Sequence, residues 1–279
     1  MTRERRRAAV LGKPIAHSLS PVIHNAGYAA AGLTGWSYTA IECAEAELAD
    51  LVAGLGPEWA GLSLTMPLKE AALAVAGEVS PVAAATGAAN TLVRRPDGSW
   101  AADNTDVPGM VDVLVEAGVP AGAEVLLLGA GGTARAALAA AAQLGVRRVA
   151  CRVRRHAAGA ELARLADTLG LRFEIVDWAA PDASEGADLV VSTVPKGAAD
   201  GFAAAARSWR PETVFFDVVY DPWPTPLAEA AVAAGCRIVS GLDLLLAQAV
   251  GQFTQFTGVP APVPQMRAAL VAARAPGRR

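Results

Sequence analysis

One stretch of this chain leaves few structural choices. The apolar run Glu124–Leu128 is followed at once by Gly129-Ala130-Gly131-Gly132-Thr133-Ala134, and then by an alanine-rich stretch to Leu144. The order reads as strand, glycine turn and helix, and the turn fits G-x-G-x-x-[GA]. Glycines there let the backbone approach a pyrophosphate, and the first N–H groups of the helix supply donors for it. Taken alone the pattern also suits a tight turn with no ligand. Further short runs at Arg147–Cys151, Phe173–Val176, Asp188–Ser192 and Thr213–Val219, with helical stretches between them, extend the unit. Their repetition predicts an α/β fold with a doubly wound sheet.

The second strand of such a unit indicates which dinucleotide it takes. A carboxylate about twenty residues beyond the glycines would grip the ribose hydroxyls of NAD. Here that place falls on Arg152, within Cys151-Arg152-Val153-Arg154-Arg155, and no Asp or Glu occurs between Glu124 and Glu161. Guanidinium groups form charge-assisted, bidentate bonds with a phosphate. Arg152 and Arg155 therefore favour the 2′-phosphate of NADP(H), with Gly129, Ala130, Gly131, Gly132 and Thr133 under the pyrophosphate.

The rest of the chain is also α/β in pattern. Strands are predicted at Ala8–Leu11, Tyr38–Ile41 and Gly61–Leu64, with a helix capped by Ser20 and opened by Pro21 and another over Glu45–Leu55. Pro67–Ala76 reads as a helix. Asn90–Arg94 and Ser99–Ala102 flank a Pro-Asp-Gly turn and read as a hairpin. Helices are predicted over 107–117, Leu242–Thr257 and Pro264–Ala273, with Ala275–Arg279 fraying. At 279 residues the chain has room for one large or two medium domains. Its 53% hydrophobic and 18% charged residues exclude disorder, and a net charge of −3 gives no whole-molecule field for nucleic acid or a membrane.

Cys43, Cys151 and Cys236 lack C-x-x-C spacing, which predicts neither a disulfide framework nor a zinc site, and no metal is expected. The basic start Met1–Arg7 is followed by an apolar run that stops at Lys13-Pro14, too short for a signal peptide. The uncharged stretches 14–41 and 244–266 carry polar residues throughout and do not read as membrane spans. A cytoplasmic protein is expected.

Chemistry-bearing residues stand out against this background. Only Lys13, Lys69 and Lys196 are lysines. Lys69, read near the start of the Pro67–Ala76 helix, would feel the positive end of the helix dipole, which suits a group that exchanges protons. A lysine reaching to solvent explains it equally well from these residues alone. Asp106, in Asp103-Asn104-Thr105-Asp106, is either a helix cap or a carboxylate at a domain junction, where it could orient a lysine. His17, Ser18 and Ser20 gather hydroxyls before the first helix but lack the G-x-S-x-G elbow of a nucleophilic serine. Hydroxyls and amides of this kind suit a polyhydroxylated ligand.

Together these segments resemble the shikimate dehydrogenase family over most of the chain. Gly12–Asn25 is similar to G-x-P-I-x-H-S-x-S-P-x-x-H-N, Thr65–Lys69 to T-x-P-x-K, and Gly87–Thr91 to G-A-x-N-T. Asn104-Thr105-Asp106 matches N-T-D, Gly129–Arg135 matches G-A-G-G-x-x-R, and Gly241–Ala249 is similar to G-L-x-M-L-x-x-Q-A. The resemblance implies NADPH-dependent reduction of 3-dehydroshikimate to shikimate, on the route to chorismate and the aromatic amino acids. It implies an N-terminal α/β substrate domain completed by C-terminal helices (1–105 and 241–279) with an inserted Rossmann-type NADP-binding domain (106–240). Lys69 and Asp106 would be the catalytic pair. Ser18, Ser20, Thr65, Asn90, Asp106, Tyr220 and Gln248 would bind substrate, and Thr193, Val218 and Gly241 would line the nicotinamide side. Family members occur as monomers and homodimers.

Three positions depart from the family pattern. Cys151-Arg152-Val153 stands where N-R-T is frequent, Leu244 where Met is common, and Asp103 where Gly often precedes N-T-D. Quinate/shikimate and aminoshikimate dehydrogenases share nearly all the motifs, although Ser20 is often threonine in quinate-using relatives. A catalytically silent NADP-binding regulator is the reading from another class, and it would have no need of both Lys69 and Asp106.

Overall fold

The computed structural model describes residues 5–179, 186–204 and 209–274. The fraying expected at Ala275–Arg279 lies outside them. The chain divides into two compact units, Met1–Thr105 with Leu245–Arg279, and Asp106–Leu244.

In the first unit, β1 (Arg6–Gly12), β2 (Trp36–Glu42) and β3 (Trp59–Leu64) are parallel, and β5 (Thr91–Arg94) and β6 (Trp100–Asp103) form an antiparallel hairpin beside β3. With β4 (Glu78–Val79), the sheet order is β2-β1-β3-β5-β6-β4. Ala8–Leu11 and the whole of β3 are buried, which is why neither carries a charge and Ser63 is the one polar side chain among them. One face of the sheet packs Leu11, Leu62, Leu92 and Trp100 into a core with Leu48 and Leu68. Helix α1 (Ser20–Ala30) packs against α10 (Val263–Arg274), and its Tyr28 meets Phe253 of α9 (Gly241–Thr257) at 5.4 Å between ring centroids.

The second unit holds six parallel strands: β7 (Glu124–Leu128), β8 (Arg148–Val153), β9 (Arg172–Asp177), β10 (Leu189–Ser192), β11 (Val214–Asp217) and β12 (Arg237–Ser240). Their order, β12-β11-β10-β7-β8-β9, is that of a dinucleotide-binding sheet, and the strand order reverses between β7 and β10. Helix α6 (Gly132–Gln143) follows β7, and its Ala134, Ala136, Ala137, Ala139, Ala140 and Ala141 are buried together with Leu138.

Local expectations failed at identifiable places. Ser20 is the first residue of α1; Leu19 holds the cap position and no side chain caps the helix. The single helix expected over Glu45–Leu55 is a 3₁₀ turn, Glu45–Glu47, followed by α2 (Leu48–Ala53). The helix expected over Pro67–Ala76 shrinks to α3 (Ala72–Val75), preceded by a turn. The Lys69 carbonyl accepts from Ala89 N at 2.7 Å, while Leu73 N turns to Glu70 O at 3.2 Å. A long-range bond thus takes the acceptor that a continuous helix would have used. Lys69 is consequently not in the first turn of a helix, and the dipole argument does not apply to it. The sequence reading also passed over β4, β12 and α4 (Pro81–Thr86), which Ser80 caps through Ala83 N.

Candidate active site

In the first unit, the segments that follow parallel strands β1 and β3 are stitched together by backbone bonds. Lys13 N donates to Met66 O at 3.1 Å and Thr65 N to Leu11 O at 2.9 Å. Leu64 N donates to Asn90 O at 2.7 Å, and the Ala89–Lys69 bond fixes the far side of the turn. Thr65, Lys69 and Asn90 are therefore held by one set of strand ends. Ser18 Oγ accepts from Ser20 N at 3.3 Å, just before α1.

Asn90 is 2% exposed. Its Oδ1 accepts from Thr105 N (2.8 Å) and Thr91 Oγ1 (2.7 Å), and its Nδ2 donates to Thr105 Oγ1 (3.0 Å). Asp106 follows directly as the buried first residue of α5 (Asp106–Glu116), at the start of the second unit. Gln248 lies on α9 and donates to Leu245 O in its own helix. One turn further along, Gln252 donates to Asn90 O and Thr91 Oγ1, both at 3.0 Å. Gln252 escaped the sequence reading, although its i,i+4 spacing from Gln248 puts both on one helix face. Asp103 now has a physical account: its Oδ1 accepts from Ser80 Oγ and Asn104 N, and its Oδ2 from Gln255 Nε2.

In the second unit the glycine turn sits at the carboxyl end of β7, where the strand order reverses. Gly129 has φ +103°, and a Cβ there would lie 2.8 Å from Thr193 Oγ1 and 2.9 Å from Val194 Cγ1. Thr193 donates its hydroxyl to Leu128 O at 2.9 Å, so turn and β10 loop are one assembly. Nothing comes within 4 Å of a Cβ built on Gly131 or Gly132, and α6 has neither a side-chain cap nor an acidic residue in its first turn. Open space above uncapped N–H groups fits a pyrophosphate. Ala130 and Thr133 flank those glycines and are half-buried.

Gly129 N donates to Arg152 O at 3.0 Å, tying the turn to β8. Arg152 is only 3% exposed; its guanidinium donates to Trp178 O and lies 5.1 Å over the Phe202 ring. Arg154 and Arg155 are exposed, and Arg155 occupies the cap position of α7 (His156–Thr168). Val218, Tyr220 and Gly241 meet at the ends of β11 and β12: a Cβ on Gly241 would run into the Val218 carbonyl oxygen and lie 3.2 Å from Tyr220 Cδ1. Asp217 closes the loop that follows β11, accepting from Val219 N at 3.1 Å and from Thr225 Oγ1 at 2.8 Å. Burial pushes the Asp217 carboxyl above the usual carboxylate range, against those two bonds. Among the described residues, no three His, Cys, Asp or Glu side chains gather to hold a metal ion, and no helix is long and apolar enough to cross a membrane.

Known proteins resemble this chain over nearly its whole length. A model of the shikimate dehydrogenase substrate-binding domain matches residues 10–92, and one of the shikimate 5′-dehydrogenase C-terminal domain matches 241–271. The shikimate dehydrogenase (NADP(+)) of Caulobacter vibrioides is 42% identical over 265 residues, covering 92% of this chain and 91% of that one. The crystal structure of Mycobacterium tuberculosis shikimate dehydrogenase superposes with a TM-score of 0.88 at 47% identity, covering 96% of this chain and 99% of that one. A quinate dehydrogenase from Corynebacterium glutamicum, solved in complex with NAD, gives 0.87 at 30% identity, covering 96% and 99%.

Proposed function

The chain belongs to the shikimate dehydrogenase family, and on that premise we propose that it reduces 3-dehydroshikimate to shikimate with NADPH, on the route to chorismate and the aromatic amino acids. The observation that carries the reading is the stitched turn holding Thr65, Lys69 and Asn90, within the same chain as a glycine turn that fits a dinucleotide. The first unit with α9 and α10 is the substrate domain, and the second binds NADP(H).

Bound NADPH supplies the hydride that reduces the ring ketone. As the carbonyl oxygen gains charge, the Lys69 ammonium donates a proton to it, so the ketone becomes a secondary alcohol; Asp106 orients the lysine. Ser18, Ser20, Thr65, Asn90, Tyr220 and Gln248 bind the ring hydroxyls and carboxylate. Gly129–Thr133 hold the pyrophosphate, Arg152 and Arg155 act on the 2′-phosphate side, and Thr193, Val218 and Gly241 line the nicotinamide. The enzyme works on small molecules in the cytoplasm, as a monomer or homodimer, and not on nucleic acid.

The test is loss of reduced-nicotinamide absorbance with 3-dehydroshikimate and NADPH, run beside NADH and Lys69→Ala. Fast NADPH loss that collapses in the variant supports reaction, cofactor and lysine together. Faster turnover with 3-dehydroquinate would favour the quinate-type reading that the Corynebacterium neighbour keeps in view. NADPH binding without turnover of either ketone would favour a regulator.

A further inference from the structure

A chain of buried hydrogen bonds runs through the first unit from strand β2 to Asn90. Tyr38 OH donates to Ser63 Oγ at 2.5 Å, and Ser63 Oγ donates to Gln252 Oε1 at 2.6 Å. Gln252 Nε2 donates to Asn90 O and Thr91 Oγ1, and Thr91 Oγ1 donates to Asn90 Oδ1. Tyr38, Ser63, Asn90, Thr91 and Gln252 are all at most 4% exposed.

The direction of every link is forced. The Asn90 carbonyl can only accept, so the end of Gln252 facing it must be the NH₂. Oε1 then faces Ser63, which must donate its one hydrogen and therefore accept from Tyr38. On the other side Thr91 accepts from Gln252, so its one hydrogen is left for Asn90 Oδ1. The Thr105 N–H, a donor only, meets the same oxygen at 2.8 Å. Both contacts turn the Asn90 oxygen inward and fix the direction in which its NH₂ points.

From this we infer that Gln252 is a positioning residue for substrate binding: it sets the Thr91 hydroxyl, and through it the Asn90 carboxamide, which meets a ring hydroxyl of the substrate. The inference rests on the proposed function for the identity of the ring, but not for the relay itself. Gln252→Met removes the amide with little change of side-chain length. Thr91→Val removes the hydroxyl at constant shape, whereas Thr91→Ser restores it.

The experiment compares steady-state kinetics and Asn90 side-chain amide hydrogen exchange in these three variants and in the unaltered enzyme. Gln252→Met and Thr91→Val are expected to raise the KM for 3-dehydroshikimate about tenfold, the loss of roughly one hydrogen bond. The kcat and the KM for NADPH should stay within about twofold, and Thr91→Ser should return to the starting KM. The Asn90 NH₂ signals should lose protection in the first two variants. That readout needs no substrate, so it decides the relay even if the unaltered enzyme fails to reduce 3-dehydroshikimate. A fall in kcat at constant KM, or Asn90 signals equally protected in all variants, would overturn the inference.

Discussion

The backbone N–H of Ala89 donates to the carbonyl oxygen of Lys69 at 2.7 Å. Ala89 immediately precedes Asn90, so one bond sets the lysine beside the carboxamide proposed to bind substrate. It also stops the helix that the local sequence favours, leaving Lys69 on a turn and outside any dipole.

If Lys69 supplies the proton, Lys69→Ala should lower kcat by about 10²–10⁴-fold with little change in KM for NADPH. Lys69→Arg keeps a cation but gives up no proton near neutral pH, and it should remain within about tenfold of the alanine variant. Rapid-mixing turnover of both variants checks this. Full recovery in the arginine variant would leave Lys69 an electrostatic role alone.

The cofactor's phosphate should distinguish the arginines. Arg155 is exposed at the start of α7, whereas Arg152 is buried against Trp178 O and Phe202. Arg155→Ala is expected to raise the KM for NADPH about tenfold and leave that for NADH unchanged, as one charge-assisted bond is lost. Arg152→Ala should in addition lower the melting temperature, because it empties a packed site. Parallel kinetics with both cofactors and a thermal melt separate the two effects.

Much of this was legible in the chain because the informative segments are local. The β7–glycine–α6 unit needs only neighbouring residues, and the order of motifs placed it within an α/β fold. What escaped depends on partners far apart in sequence. Leu68, Lys69, Glu70 and Ala71 are good helix formers, yet the bond to Ala89 overrides them. The two residues of β4 are too few to show alternation. Asp103 made no sense alone, because its partners Ser80 and Gln255 come from either side of it. Gln252 had a visible signal in its spacing from Gln248, but its role needs Ser63 and Thr91 beside it.

At Gly241 the prediction follows from space. A side chain there would collide with the carbonyl of Val218, the residue after β11, whose N–H donates to Ser192 O of β10 at 3.0 Å. Gly241→Ala should cost about 1–3 kcal/mol of stability as the strands move apart. It should also raise the KM for NADPH, since Val218 and Tyr220 shift with it. Urea unfolding midpoints and cofactor kinetics on the same preparation test both consequences.

Acid should act on His24. The ring is fully buried, stacked on Tyr38 at 4.1 Å between centroids and 6° between planes, with Tyr28, Phe253 and Phe256 within 6.4 Å. Burial lowers its pKa from 6.5 to about 3, with the Gln252 side chain pulling the other way. Below pH 6.5 the unfolded chain therefore takes up a proton that the folded protein refuses. Stability from this group is complete above the unfolded value and falls as the pH drops towards the folded one. The slope approaches about 1.4 kcal/mol per pH unit, or roughly 2 kcal/mol between about pH 7 and pH 5. His24→Phe keeps an aromatic ring against Tyr38 and removes the proton. Urea midpoints across that range should fall more steeply for the histidine enzyme than for the variant. Equal slopes would mean that the ring is charged in the folded state and that some group in its surroundings stabilises the cation.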